Sequence, residues 1–414
     1  MAQATSFPDA VSSSPASPSS TLLITHARLP GHEDLLCVWV DPQGFVRSIQ
    51  PMAQAFKQPP PDRLQVLNLR GDWLSLGGVD LQINGALGLA FTDLEPENIG
   101  KLGEICQFLW RQGVDAFLPT LVTTSIPQIH RALATFKAYE QQIHRPGSAK
   151  ILGIHLEGPC LNPEKRGAHP GEHLQPLTLP MMEEILGHYG DLVKMVTLAP
   201  ELDPSGTVIG ELTRRKIVGS LGHSQATAAQ AQNAFRQGAT LVTHAFNAMP
   251  PLHHREPGLL GAALVEPGIY CGVIADGHHV SPLMLKILLK AGSYSERLFL
   301  VSDALAPLGL GDGHYPWDDR QIEVHHGTAR LGDGTLAGTT RSLLTGVCNL
   351  VRWKVCSVDE AIALGTTAPR RALGDRWEVS RRDRPFIGKP AHQLLRWNLD
   401  RDSHELTWQR LMTL

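Results

Sequence analysis

No run of eighteen apolar residues occurs in the 414-residue sequence, so nothing in it reads as a membrane-spanning helix. There is no C-x-x-C pair either. Cys37, Cys106, Cys160, Cys271, Cys348 and Cys356 are scattered, which fits a reducing compartment better than a disulfide framework. Neither sign of charge dominates, and a formal net charge of -3 gives no electrostatic case for nucleic acid or an acidic membrane as partner. The phosphate loop G-x-x-x-x-G-K-S/T is missing and Lys and Arg do not cluster. The Gly-rich pieces Leu308–Gly313 and Gly332–Gly338 are too irregular to cradle a phosphate and read as turns. What remains is an ordinary globular composition, 42% hydrophobic and 19% charged, long enough for one barrel-sized domain or two domains. Residues 1–20 are rich in Ser, Pro and Ala and lack a basic start with an apolar core, so they read as a disordered tail and not a secretory signal. The expectation is a soluble, cytoplasmic protein.

From Thr21 to about Leu69 the pattern is one of short β-like runs, Leu22–Ile24, Leu36–Val40 and Phe45–Ile49, with Asp41-Pro42-Gln43-Gly44 as a turn between the last two. Similar runs return near the other end, including Leu394–Trp397, and the two β segments can pair into one small sheet domain. Between them, apolar strands alternate with helical stretches. The strand candidates are Leu76–Gln82, Asp115–Pro119, Ile151–Glu157, Leu192–Ala199, Ile217–Gly222, Ala239–His244, Tyr270–Asp276 and Leu298–Asp303. Such alternation implies a parallel sheet covered on both faces. The clearest helix is Thr227–Gln237, where Thr227 and Gln230 match a capping box and Gly238 closes the end. Eight units suit a (β/α)8 barrel, although an open doubly wound sheet shows the same alternation.

In a barrel, chemistry gathers at the C-terminal ends of the strands. Those ends read Gln82, Glu157, His223, His244, Asp276 and Asp303. Two imidazoles and a carboxylate, His223, His244 and Glu157, suit a divalent metal and leave a position open for water, as in catalytic zinc sites. Asp303 could accept a proton from such a water and return it to a leaving group; its plainer role would be to cap the next loop. Arg255 suits an anion, whereas His253, His254, His325 and His326 match no ligand spacing and read as surface residues. Gln82 and Asn84 project together from the end of the first strand, and amides are poor ligands for transition metals.

Seven motifs in collinear order carry a resemblance: H-L-E-G-P (155–159), K-R-G-A-H-P (165–170), G-H-S-Q-A-T (222–227), T-H-A-F-N-A-M-P (243–250), R-E-P-G-L-L-G (255–261), I-A-D-G-H-H (274–279) and S-D-A-L-A-P (302–307). From about Gly77 to Gly374 the chain closely resembles the N-acetylglucosamine-6-phosphate deacetylases of the amidohydrolase superfamily. The resemblance implies a (β/α)8 barrel over residues 73–374 with a small β-sandwich from residues 21–72 and 375–414. It implies hydrolysis of the acetamide of N-acetyl-D-glucosamine 6-phosphate to acetate and glucosamine 6-phosphate. The metal on Glu157, His223 and His244 would be one divalent ion per chain, zinc or alternatively iron or another. Asp303 would be the acid and base, and His169 would stabilise the oxyanion.

The same resemblance makes Ala168, Asn247, Ala248, Arg255, Asp276 and His279 substrate contacts, with Arg255 or His279 acting across a homodimer interface. Leu336, Ala337 and Gly338 would close on the substrate, Ala337 standing where the family usually has Ser. Gly388-Lys389-Pro390-Ala391-His392 departs from the family's G-x-x-A-D without expected consequence for the chemistry. Many amidohydrolases place H-x-H where this chain has Gln82-Ile83-Asn84, so the expectation is a single tightly held metal with these amides as neighbours of the water or substrate. Three alternatives stand beside this reading. One is the galacto epimer as substrate; another is a different amidohydrolase such as a dihydroorotase or allantoinase, which the missing H-x-H and bridging Lys oppose. The third is a non-catalytic scaffold, which retention of all four ionisable groups opposes.

Overall fold

The structure, a computed structural model, describes residues 20–54, 63–140, 147–203, 205–291, 297–374 and 386–411. These divide into two units. The first runs up to Leu76 and takes in residues 386–399 and 407–411. Its strands alternate as a period of two requires. In Leu36–Val40, Leu36, Val38 and Val40 enter one buried cluster while Cys37 and Trp39 pack into another. Val46–Pro51, Leu36–Val40, Thr21–Ala27 and Leu64–Asn68 form a four-stranded sheet in that order, and Leu406–Arg410, Leu395–Leu399 and Trp73–Ser75 form a second. Ile24 and Val38 of the first sheet share a core with Leu74 of the second, making a small β-sandwich. Fully buried Trp397 satisfies its indole by donating to Ser75 Oγ at 2.8 Å. The expected tail lies outside the described residues apart from Ser20, as do residues 375–385 of the C-terminal segment.

In the second unit, eight parallel strands pair in chain order: β1 (Gly78–Ile83), β2 (Val114–Val122), β3 (Ile154–Glu157), β4 (Val193–Leu198), β5 (Val218–Leu221), β6 (Leu241–Val242), β7 (Tyr270–Val273) and β8 (Leu298–Leu300). The exit of β8 returns to β1. Asp303 N–H donates to Gln82 O at 2.9 Å and Asn84 N–H to Ala304 O at 2.7 Å. The sheet therefore closes on itself, which decides for the barrel over the open sheet. Helices α1 (Gly100–Arg111), α2 (Ile126–Glu140), α3 (Leu179–Leu186), α4 (Thr207–Arg214), α5 (Ala228–Arg236), α6 (Gly258–Val265), α7 (Pro282–Lys290) and α8 (Leu343–Arg352) follow the strands. At α5 the expected capping box is present, Thr227 Oγ1 accepting from Gln230 N–H while Gln230 Oε1 accepts from Thr227 N–H. Such a cap stabilises a helix by about 1 kcal/mol.

Strand ends differ from the sequence reading in one systematic way. β5, β6 and β8 stop before His223, His244 and Asp303, because these residues turn out of the ladder with φ of 48°, 26° and 46°. Hydrophobic periodicity carries no signal for a left-handed residue. At the other end, Gly153 (φ 136°) separates Lys150–Ile151 from β3. β2 runs past Pro119 because Thr120–Val122 pair with His155–Glu157.

Between β8 and α8 lies a four-stranded antiparallel sheet, β9 (Gly313–Trp317), β10 (Arg320–His325), β11 (Thr328–Leu331) and β12 (Leu336–Thr339), of which the sequence reading had only the turns at Leu308–Gly313 and Gly332–Gly338. The signal was present: Ile322 and Val324 alternate with the polar Gln321, Glu323 and His325 and pack with Ala329 and Leu305 in a core of their own. β12 is tied to the exit of β8. Thr339 N–H donates to Asp303 O at 3.0 Å, Leu305 N–H to Thr339 O at 2.9 Å, and Thr339 Oγ1 to Ser302 O at 2.7 Å.

Candidate active site

The barrel interior is layered. Leu118, Met195, Val218 and Leu241 share one apolar cluster. Two residues further along each strand, and so on the same side, come Thr120, Thr197, Ser220 and Thr243, all buried. These hydroxyls form a belt with His155. Its Nδ1 lies 3.0 Å from Thr120 Oγ1 and its Nε2 2.8 Å from Thr197 Oγ1, and the belt continues through Thr243 (2.7 Å) to Ser220 (2.6 Å). Burial holds the His155 imidazole down at about 4, so it is a neutral, fully bonded element of the floor.

Above this belt Glu157, His223 and His244 converge, with ligand atoms all within 4.8 Å of one another. Glu157 Oε1 lies 3.4 Å from His223 Nε2 and 3.1 Å from His244 Nε2, and the two imidazole nitrogens are 3.0 Å apart. Ligands about 2.0–2.2 Å from a tetrahedral ion stand roughly 3.3 Å apart, so the spacing fits a metal. His223 Nδ1 donates to Lys165 O at 2.8 Å, because a carbonyl only accepts, and that turns Nε2 toward the other two groups, where a metal would take its lone pair. Burial alone would raise the Glu157 pKa. The hydrogen bonds and charges of His223 and His244 outweigh it and hold this carboxyl well below the usual carboxylate range. Three protein ligands with a side left free is the arrangement of a catalytic, not a structural, site.

Asp303 stands beside the triad, and here the amides of β1 find their use. Gln82 Nε2 donates to Glu157 Oε1 at 2.9 Å and to Asp303 Oδ1 at 3.2 Å, while Asn84 Nδ2 donates to the same Oδ1 at 2.8 Å. Gln82 thus bridges a ligand of the candidate metal and the neighbouring carboxylate. Burial and the negative charge of Glu157 both raise the Asp303 pKa. One layer lower, Asp80 accepts from Ser302 N–H at 3.1 Å and is 1% exposed. Burial pushes its pKa from 3.8 to about 7 despite bonds from Ser302 and Gln82. A carboxyl whose folded pKa lies above its unfolded value binds its proton more tightly when folded. Its contribution is complete below about pH 4 and is lost as pH rises through 7. Asp80→Asn should therefore be neutral at about pH 4 and more stable than wild type by up to about 4 kcal/mol near pH 8, read as a widening Tm difference.

A cavity of about 320 Å³ opens over these groups, lined by Asn84, Ala168, His169, Asn247, Ala248, His279, Leu336 and Ala337 in addition to the triad and Asp303. His169 is buried, and its pKa is lowered to about 3 by burial and by the charge of His223. Its loop is clamped at two carbonyls, Arg166 Nη1 donating to His169 O at 2.8 Å and Arg320 Nη2 to Ala168 O at 2.9 Å. Three expected contacts do not line the cavity. Asp276 instead accepts from His279 Nδ1 at 2.7 Å and from two backbone N–H groups, which holds its pKa down at about 2 against burial. Gly338 packs against the backbone of Asp303, where a Cβ would come within 2.7 Å of the carbonyl oxygen. Arg255 is exposed, its Nη1 2.9 Å from His254 Nε2. Sequence reasoning missed Trp317, Thr335 and Val122, which also line the cavity. Trp317 and Thr335 come from the unread antiparallel sheet region, and the notable signal for Trp317 was an aromatic beside Asp318-Asp319 in a hairpin.

No family model matches the chain. It is 38% identical over 309 residues to the N-acetylglucosamine-6-phosphate deacetylase of Bos taurus, covering 73% of this chain and 74% of that protein. It is 35% identical over 297 residues to the N-acetylgalactosamine-6-phosphate deacetylase of Escherichia coli O157:H7, covering 72% and 77%. Among solved structures, the N-acetylglucosamine-6-phosphate deacetylase of Pasteurella multocida superposes with a TM-score of 0.78 at 28% identity, covering 94% of this chain and 100% of that one. A mutant of the Mycobacterium smegmatis enzyme in complex with N-acetyl-D-glucosamine-6-phosphate gives 0.77 at 27% identity, covering 95% and 98%. With identity of this order over most of both lengths, on a barrel whose strand ends carry the motifs, the chain belongs to the N-acetylglucosamine-6-phosphate deacetylase family of the amidohydrolase superfamily.

Proposed function

We propose that this chain hydrolyses the acetamide of N-acetyl-D-glucosamine 6-phosphate, releasing acetate and glucosamine 6-phosphate. The observation that carries the reading is the placement of Asp303 beside the free side of the Glu157–His223–His244 triad, under the control of Gln82 and Asn84. A divalent ion, zinc by preference for two imidazoles and a carboxylate, would supply Lewis acidity toward water and the amide carbonyl when held there. Asp303 takes the proton of the attacking water and passes it to the departing amine, one group serving as base and then acid. His169 donates a hydrogen bond to the oxygen on which charge develops. Asn247, Ala248 and His279 line the cavity and hold the sugar phosphate, while Leu336 and Ala337 close over it; Asp276 orients His279.

Acetate release should show kcat/KM at least about tenfold higher for N-acetyl-D-glucosamine 6-phosphate than for the galacto epimer, the scale on which one misplaced hydroxyl is felt. The reverse ranking would transfer the chain to the galacto activity of its Escherichia coli relative. Exposed Arg255 does not line the cavity of its own chain. We assign it to the phosphate of a neighbouring subunit in a homodimer, an arrangement that would also cover Leu252 (43% exposed), Val265 (70%) and Leu283 (68%). No helix among the described residues is long and apolar enough to cross a membrane. All six cysteines are free thiols, and we place the enzyme in the cytoplasm.

A further inference from the structure

Thr123 stands just past the end of β2, 2% exposed, and is not among the residues that line the cavity. Two of its atoms approach one atom of His169. The backbone N–H of Thr123 donates to His169 Nδ1 at 3.3 Å, and Thr123 Oγ1 lies 2.8 Å from the same nitrogen. A backbone amide can only donate, so Nδ1 presents a lone pair and carries no proton. An imidazole with a bare Nδ1 holds its single proton on Nε2, the other ring nitrogen of a residue that lines the cavity. The ring is hemmed in from two sides. The loop is fixed behind it by Arg166 on His169 O and by Arg320 on Ala168 O, and the His223 ring packs edge-on with centroids 4.5 Å apart.

We propose that Thr123 is a positioning residue that sets the tautomer of His169, so that this imidazole meets the substrate as an Nε2–H donor and takes no part as a base. The proposal deepens the deacetylase reading and rests on it for the role of the donor. It divides the labour of the site: Asp303 moves protons, and His169 only holds one. The Thr123 hydroxyl supplements the amide by donating its own proton to the same Nδ1 lone pair at 2.8 Å.

The test is a nitrogen spectrum of purified protein labelled with 15N-histidine, with His169 identified by comparison with His169→Gln. The expected result is a pyridine-type Nδ1 and a pyrrole-type Nε2 without substrate; a protonated Nδ1 overturns the proposal. Kinetics give an independent arm. Thr123→Val keeps size and the backbone donor but loses the hydroxyl, and should lower kcat about tenfold, the effect of one hydrogen bond, with KM nearly unchanged. Thr123→Ser should restore it, and a Thr123→Val enzyme with wild-type kcat counts against the proposal. His169→Gln, whose amide nitrogen takes the place of Nε2, should retain on the order of ten times the kcat of His169→Asn, whose amide takes the place of Nδ1. The reverse order overturns the assignment. The spectrum is read without turnover, so failure of the tautomer and failure of the reaction are distinguishable: no acetate from the sugar phosphate sinks the deacetylase reading while the ring nitrogens still report.

Discussion

Asp303→Asn lowers kcat by roughly three orders of magnitude, the size of effect expected when a positioned general acid–base is removed, and leaves the metal content of the protein at the wild-type level. The second half of this expectation separates proton transfer from metal binding. Asp303 lies outside the triad whose ligand atoms cluster within 4.8 Å. The side chain that replaces it has nearly the same shape, and its amide oxygen can still accept from Asn84 Nδ2, 2.8 Å from Oδ1 in the native protein. What it cannot do is take a proton from water. Steady-state acetate release and elemental analysis of the same preparation check both halves. Near-normal turnover would mean that the proton goes elsewhere and that Asp303 merely caps the β8 exit.

His223→Ala has a complementary effect. Metal falls from about one equivalent per chain to less than about a tenth, because the remaining pair no longer encloses the ion, and kcat/KM falls with it by at least about three orders of magnitude. Gln82→Ala should keep its metal, since Gln82 donates to Glu157 and Asp303 and offers no ligand of its own. Two tightly held equivalents in the wild type would contradict the reading of Gln82 and Asn84 as amides standing where other amidohydrolases carry imidazoles.

Much of this site was legible because chemistry sits at strand ends, and apolar runs ending in Glu157, His223, His244 and Asp303 show in a single sequence. The barrel itself was only half legible: eight alternations do not close a sheet. Closure rests on backbone bonds from Asp303 and Asn84 that no side-chain pattern records. The sheet from Gly313 to Thr339 was lost for another reason. Its strands are short and interrupted by glycine turns, so an alternation of two buried residues in β10 was outweighed by turn composition. The clamp of Arg320 on Ala168 links residues 152 positions apart, and separations of that kind leave no local trace. Thr123 went unread because its hold on His169 depends on a backbone N–H, a group that every non-proline residue has.

The left-handed backbone at His223, His244 and Asp303 has a bearing on how this sequence can change. Val, Ile and Thr are strongly disfavoured at positive φ, whereas Gly, Asn and Asp accept it. In a library randomised at these three positions, selection for folding alone should enrich glycine and the short polar residues before any selection for activity is applied. At Asp303 the nearest foldable substitutes are then Asn and Gly, neither of them a base, and at His223 and His244 Asp alone among the three is a metal ligand, on a side chain that does not reach as far as an imidazole Nε2. Drift at these positions leads toward a folded protein without chemistry, a binder that keeps the cavity, more readily than toward a different catalyst.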